Sequence, residues 1–250
     1  MNTLRSTVVT VMSKYGASLM AKVEDWLSGR PGPDDFPALL SMHIPKTAGL
    51  AFREILYQQY GTTHVLAINR GALRRQGQTL SHHFRKRHQA IHGHLPYTYL
   101  KPLHGAGTKI ITWLRDPVQR VVSNYYYNVT HEFPKRQREN PEQQMMSLQE
   151  FIERPKRQNV MSHFLEGIEL EALDFFGFQE DFAGGLDRLA EQMGWTLTAQ
   201  DRTRRVNDNR KVKAKHPTPS PATLQRIRQL NQADIELYER AQQLWRERYA

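Results

Sequence analysis

The stretch Ser41–Leu56, SMHIPKTAGLAFREIL, runs from apolar residues into Pro45-Lys46-Thr47-Ala48-Gly49 and out into an amphipathic segment. Leu50, Phe52, Ile55 and Leu56 recur at helical spacing. The reading is strand, tight loop, helix. A strand ending at His43 or Ile44 and a helix starting near Gly49 bring unpaired backbone N–H groups to one point. Those donors and the helix dipole favour an anion. Lys46 adds a full positive charge beside them. The outline is that of a phosphate-binding loop, but the residue order is not that of a nucleotide triphosphatase, Gly-x-x-x-x-Gly-Lys-Ser/Thr. Here the lysine comes three residues before the glycine. The competing reading is a surface turn with a solvated lysine.

Outward from this loop, strand and helix signals alternate. Strands are expected at ALLSMHI (Ala38–Ile44), THVLAI (Thr63–Ile68), QAIHGHLPY (Gln89–Tyr97, turning at Pro96), TKIITWLRD (Thr108–Asp116) and LDFFGFQED (Leu173–Asp181). The near-continuous apolar run Ile110, Ile111, Trp113, Leu114 suits a central parallel strand buried on both faces. Asp116 followed by Pro117 is a helix start, a capping residue and then proline at the first helical position. Helices are expected over Val118–Val129, Leu148–Glu166 (two or three), Phe182–Met193 and Ala222–Tyr249. PKRQRENPEQQ (Pro134–Gln144) reads as an exposed loop. The alternation predicts an α/β fold with a mainly parallel sheet.

The chain has 250 residues, 39% hydrophobic and 24% charged, and fits one large domain. SGRPGPDDFP (Ser28–Pro37) separates an N-terminal helix and linker, residues 1–35, from a domain over residues 36–250. The N-terminal helix reads as packing, with an interfacial membrane contact as the alternative. No apolar run approaches the roughly 20 residues of a membrane span. The formal net charge of +10 favours anionic partners. There is no cysteine, so disulfides and thiolate metal sites are excluded, and a bacterial cytoplasm is expected.

Two further constellations carry chemistry. In WLRDPVQRVVSNYYY (Trp113–Tyr127), Arg115 sits where a strand meets a helix, the edge at which α/β sheets bind ligands. Ser123 follows two helical turns later. A guanidinium and a hydroxyl suit a phosphate; a surface Arg115–Asp116 pair is the competing reading. In IHGHLPY (Ile91–Tyr97), His92 and His94 face one side of an extended segment. With neither cysteine nor a nearby acid, a metal is not expected. A histidine is suited to act as general base; a packed, hydrogen-bonded histidine is the other reading.

Taken together, HIPKTAG (His43–Gly49), HGH (His92–His94) and LRDPVQRVVSNYYY (Leu114–Tyr127), in that order, resemble the sulfotransferases that use 3′-phosphoadenosine 5′-phosphosulfate (PAPS). The likeness is to the branch that includes heparan and uronyl 2-O-sulfotransferases. Weaker likeness continues through FFGFQEDFAGGLDRL and NDNRKVKAKHPTPSPATLQRI, so the resemblance covers roughly Leu39–Gln243. It implies a P-loop-like three-layer fold and transfer of a sulfonate to an acceptor hydroxyl, on a carbohydrate or a small molecule. It places Pro45, Lys46, Thr47, Ala48, Gly49, Leu50 and Ala51 at the 5′-phosphosulfate. Lys46 would meet the bridging oxygen, Arg115 and Ser123 the 3′-phosphate, and Arg210 and Lys211 would also meet the cofactor. His94 matches the base, with His92 assisting. Where the family carries a threonine or serine pair, this chain has Leu50-Ala51, and two hydroxyl donors are absent. An acidic glycan would suit Arg74, Arg85, Arg87 and Arg136. The alternatives are a sulfotransferase-fold protein without turnover, a P-loop kinase-like phosphotransferase, and a basic nucleic-acid-binding module. The last two lack the Gly-Lys-Ser/Thr order and base-stacking aromatics respectively, and nucleic acid is not an expected partner.

Overall fold

Leu39 and Leu40 are wholly buried and Met42 nearly so, because their strand, β1 (Leu39–Met42), lies at the centre of a five-stranded sheet. The structure, a computed structural model, describes residues 36–69, 88–142, 144–203 and 218–249. The N-terminal helix expected before residue 36, and Arg74, Arg85, Arg87, Arg210 and Lys211, lie outside them. The other strands are β2 (Val65–Asn69), β3 (Ala90–His94), β4 (Lys109–Leu114) and β5 (Phe175–Phe178), in the order β2-β3-β1-β4-β5. Every pairing is parallel, with Met42 opposite Gly93 on one side and Thr112 on the other. Four of the five strands fall inside the stretches the apolar runs mark out, and β2 runs one residue past its stretch, to Asn69.

Side-chain alternation divides the core into two layers. Leu40, Met42, Ile91, Ile110 and Phe176 share one cluster with Tyr97 and Leu100 of α2 (Tyr97–Leu100) and Ala241 and Leu244 of the C-terminal helix. Leu39, Ala90, Ile111, Trp113 and Phe175 face the other way. They pack on Phe52, Ile55 and Leu56 of α1 (Gly49–Tyr60) and on Phe182, Leu186 and Leu189 of a helix over Phe182–Met193. Burying each such aliphatic side chain stabilises the fold by about 1.5–3 kcal/mol.

Asp116 caps α3 (Pro117–Tyr127) as its sequence predicts, its Oδ1 accepting from Gln119 N–H at 2.8 Å. The helix does not stop in an exposed loop. It passes through a π-turn, Asn128–Glu132, into α4 (Phe133–Glu139). This corrects the loop expected from Pro134 onward. Pro134 falls in the first turn, where its missing N–H costs little, and Arg136 donates back to Asn128 Oδ1 at 2.8 Å. Three short helices or turns follow: α5 (Leu148–Ile152), Pro155–Arg157 and α6 (Val160–Phe164). The helix Phe182–Met193 is α7, and Ala199–Arg202 is α8.

The C-terminal helical run is two helices, α9 (Pro221–Leu230) and α10 (Gln232–Tyr249), broken at Asn231. The Asn231 side chain donates to Ile227 O and accepts from Asn159 N–H, which ties the break to the loop before α6. Behind it, Asp234 accepts from Met161 N–H, Ser162 N–H and Ser162 Oγ, and lies 3.7 Å from Arg120 of α3. Both charged side chains are completely buried. Among the described residues, no helix is long and apolar enough to cross a membrane.

Candidate active site

The strand order reverses direction about β1, and the crevice at the carboxyl ends of such strands is where α/β sheets bind ligands. Three segments leave the sheet there. The loop His43–Ala48 follows β1, His94 ends β3, and Arg115 follows β4.

The loop is held from within. His43 N–H donates to Gly93 O at 2.8 Å, and the buried Thr47 hydroxyl donates to Ile44 O at 2.8 Å. Thr47 therefore has only its backbone N–H left to donate to an anionic ligand. Lys46 and Ala48 adopt left-handed backbone, with φ of 77° and 75°. Such strain in non-glycine residues collects at functional loops. Ala48 caps α1 without a side-chain hydrogen bond, so the first-turn N–H donors depend on other partners. Gly49 is required by close approach: a Cβ there would fall within the ring of His43.

Lys46 Nζ lies over the Tyr127 ring, 4.3 Å from its centroid. Burial, and next the charge of Arg115, lower its pKa to about 8. Arg115 Nη1 donates to Lys46 O at 3.1 Å, while its Nε is buried without a partner. The guanidinium thus braces the lysine's backbone and keeps a donor in reserve. Glu180 Oε1 accepts from Asp116 N–H at 2.8 Å, and Tyr238 donates to Glu180 Oε2 at 3.2 Å. Ser123 is buried on α3.

His94 Nδ1 lies 2.8 Å from His43 O. A carbonyl only accepts, so Nδ1 carries the hydrogen, and neutral His94 keeps its lone pair on Nε2. Burial lowers the His94 pKa, and Lys46 lowers it further. His92 is buried, with Nδ1 2.9 Å from Ser41 Oγ, and burial pushes its pKa to about 3. The ring of His43 lies between the two, with centroids 4.9 Å from His92 and 4.0 Å from His94. Burial, and then the two neighbouring histidines, hold His43 well below the usual range. Gly93, the residue between His92 and His94, is demanded by the sheet, since a Cβ there would meet Ile68 O of β2.

These parts surround a cleft of about 240 Å³ lined by His43, Pro45, Lys46, Ala48, Gly49, Leu50, Ala51, His94, Asn124 and Tyr127. Leu50 is exposed at its mouth. Of the residues expected from sequence, most of the loop and His94 meet in this cleft. Arg115 touches it through Lys46 O, while His92, Thr47 and Ser123 stand behind its walls. Arg136 is engaged with Asn128 on α4. Sequence reasoning missed His43, Asn124 and Tyr127. Asn124 and Tyr127 share a helix face at a separation of three, a signal overshadowed by their aromatic neighbours Tyr125 and Tyr126, which are core. Among the described residues, no group of three or more His, Cys, Asp or Glu is placed to hold a metal ion.

No curated protein matches the chain in sequence. Among solved structures it is similar to mouse sulfotransferase SULT7A1 complexed with PAP, at 18% identity and a TM-score of 0.43, covering 70% of this chain and 66% of that one. Retinol dehydratase in a complex with retinol and PAP matches at 12% identity and a TM-score of 0.35, with 68% and 63% covered. The same enzyme with androsterone and inactive cofactor PAP matches at 12% and 0.38, with 75% and 68% covered. The chain thus spans about two thirds of the length of these three structures. The family profile described as the sulfotransferase family matches residues 34–239, most of the sequence and all of the sheet, and on that match the chain belongs to the sulfotransferase family.

Proposed function

We propose that the protein transfers a sulfonate group from PAPS to an acceptor hydroxyl. The observation that carries this reading is the convergence at three neighbouring strand ends of a half-buried lysine, a helix N-terminus without a side-chain cap, an arginine with a spare donor and a neutral histidine. Those groups suit the cofactor: backbone N–H donors and Lys46 for the phosphosulfate and Arg115 for the 3′-phosphate, with Ser123, Arg210 and Lys211 assigned to it by resemblance alone. When bound, PAPS supplies an activated sulfonate whose sulfur–oxygen bond to phosphate breaks as the acceptor oxygen attacks.

The chain's own groups do the rest. His94, neutral and protonated on Nδ1, takes the acceptor proton on Nε2. Lys46 places its ammonium where negative charge grows on the leaving oxygen, stabilising the transition state more than the ground state. The Arg115 bond to Lys46 O holds that ammonium's backbone in place. His92, neutral at working pH, supports the stack rather than exchanging protons. A carbohydrate acceptor, if acidic, is supported by the net charge of +10.

Calorimetry with adenosine 3′,5′-bisphosphate against adenosine 5′-phosphate tests the cofactor. Loss of one charge-assisted contact costs about 1.5–3 kcal/mol, so the bisphosphate should bind at least about tenfold more tightly. Equal affinities would remove the assignment. Labelled PAPS with a panel of glycan and small-molecule alcohols tests the acceptor. The absence of hydroxyls at Leu50-Ala51 favours a second reading, a protein that binds the nucleotide without turnover. Tight bisphosphate binding with no transfer to any acceptor would select it.

A further inference from the structure

His43 has no role in the scheme above, yet its ring occupies the centre of the site. Its backbone is set by β3, through His43 N–H to Gly93 O at 2.8 Å. Its carbonyl receives the Nδ1–H of His94. Its ring is nearly parallel to both neighbours, at 20° to His92 and 27° to His94, and its far edge rests on the bare Cα of Gly49 at the start of α1. The ring is therefore wedged between the first turn of the anion-binding helix and the candidate base.

The groups acting on this ring are His92 and His94 from β3, Arg53 from α1 and Lys46 from the loop. All are cationic or become so on protonation. A charged His43 is opposed from every side, so the ring serves as a flat, neutral spacer rather than as an acid or a counter-ion.

We propose that His43 is the positioning residue for the base, its carbonyl selecting the His94 tautomer and its ring fixing the angle at which Nε2 meets the acceptor hydroxyl. This rests on the reading of His94 as the base in sulfonate transfer. A flat ring of the right thickness is the requirement, and ring nitrogens are not. His43→Leu keeps the bulk and loses the plane; His43→Phe keeps the plane and loses the nitrogens.

The experiment measures kcat, KM for PAPS and the rate–pH profile of both variants, together with the His94 ring ¹⁵N titration by NMR. Misplacing a reacting group by about 1 Å costs on the order of 100-fold. His43→Leu should lower kcat by about 10- to 100-fold, leave KM for PAPS within about twofold, and move the His94 titration up toward about 6.5, because a branched side chain cannot lie flush on the flat imidazole and water reaches the base through the gap. His43→Phe should recover most of the lost rate and return the titration to its wild-type position. A Phe variant that folds and titrates normally but is as slow as Leu would show that a His43 nitrogen takes part in the reaction, and would overturn the proposal. So would a Leu variant with unchanged kcat and unchanged titration. If the wild type transfers sulfonate to no acceptor, the proposed function fails, while the NMR titrations still show whether His43 holds His94.

Discussion

The alkaline side of the rate–pH profile should belong to Lys46. Its pKa is lowered to about 8 by burial and by Arg115. In the free enzyme about nine-tenths of Lys46 is then charged at pH 7 and about one-tenth at pH 9. If the charge is needed as the phosphate leaves, kcat/KM for PAPS should fall about tenfold per pH unit above roughly 8. A bound anion favours the ammonium, so the limb in kcat should lie at higher pH than the limb in kcat/KM. Lys46→Arg stays charged throughout. It should be slower, because the fork does not replace a point charge, but its profile should flatten between pH 8 and about 9.5. Lys46→Ala should lower kcat by about 10²–10³, as removal of a transition-state donor does elsewhere, with a smaller loss of bisphosphate affinity. Initial rates at limiting PAPS across pH 6–10 are the assay. A wild-type kcat/KM flat to pH 9.5, or an unchanged limb in Lys46→Arg, would show that the charge on Lys46 does not set the alkaline limb.

Three further outcomes are expected. Because the folded-state pKa of Lys46 lies below its unfolded value, the unfolded chain binds more protons between about pH 8 and 10.4, and stability rises with pH through that window; Lys46→Met should therefore raise Tm at pH 7, with the gain fading toward pH 10.4, and a variant that melts lower at pH 7 would contradict this. His43, His92 and His94 have folded pKa values below 6.5, so their contribution is present above that pH and is lost on acidification at up to about 1.4 kcal/mol per pH unit for each; denaturant titrations at pH 7, 6, 5 and 4 should show the loss, and His92→Phe should reduce its slope. Asp234→Ala removes the acceptor for the first N–H groups of α6 and leaves Arg120 buried and unpaired, which should cost about 3–5 kcal/mol in chemical denaturation, against a fraction of that for the exposed pair Arg240–Glu171.

The parts of the fold that depend on near neighbours could be read from the sequence. A strand, a loop with Lys46 and a helix from Gly49 lie within sixteen residues, and Asp116-Pro117 carries its own capping geometry. The parts that depend on strand register could not. His43 enters the site because β1 pairs with β3, which places it beside a residue fifty positions away. Arg120 sits among valines in VQRVV, and nothing local says that its partner is Asp234 on the last helix. The continuation of α3 into α4 was hidden by Pro134 and by a charge-rich composition that usually marks solvent-exposed loop. There, the Arg136–Asn128 bond and the π-turn decide the conformation, and neither has a local signature. The resemblance assigns Thr47 to the cofactor, and only the folded loop shows that its hydroxyl closes that loop, so that its backbone N–H is the donor left for that role.

Burial acts on Lys46 and His94 in opposite senses for function. Taking either group out of water disfavours its charged form. For His94 that is an advantage, because a base must begin neutral, and the downward shift keeps it so below pH 6.5. For Lys46 it is a cost, because in the proposed reaction the leaving group needs the ammonium. The Tyr127 ring face, 4.3 Å from Nζ, limits that cost by offering the charge a quadrupole that survives exclusion of water. Both groups line the same cleft, so in the proposed reaction its depth sets both limbs: a His94 limb lowered from the usual imidazole value on the acid side, and a Lys46 limb at about 8 on the alkaline side. A deeper cleft would extend the acid end and erode the alkaline end. A shallower one would do the reverse and weaken the charge on Lys46 by solvent screening. Leu50, exposed at the mouth, is where this balance can be moved without touching either group. A polar residue there should admit water and raise both limbs together, whereas an effect on one limb alone would mean that Lys46 and His94 do not share a solvent environment.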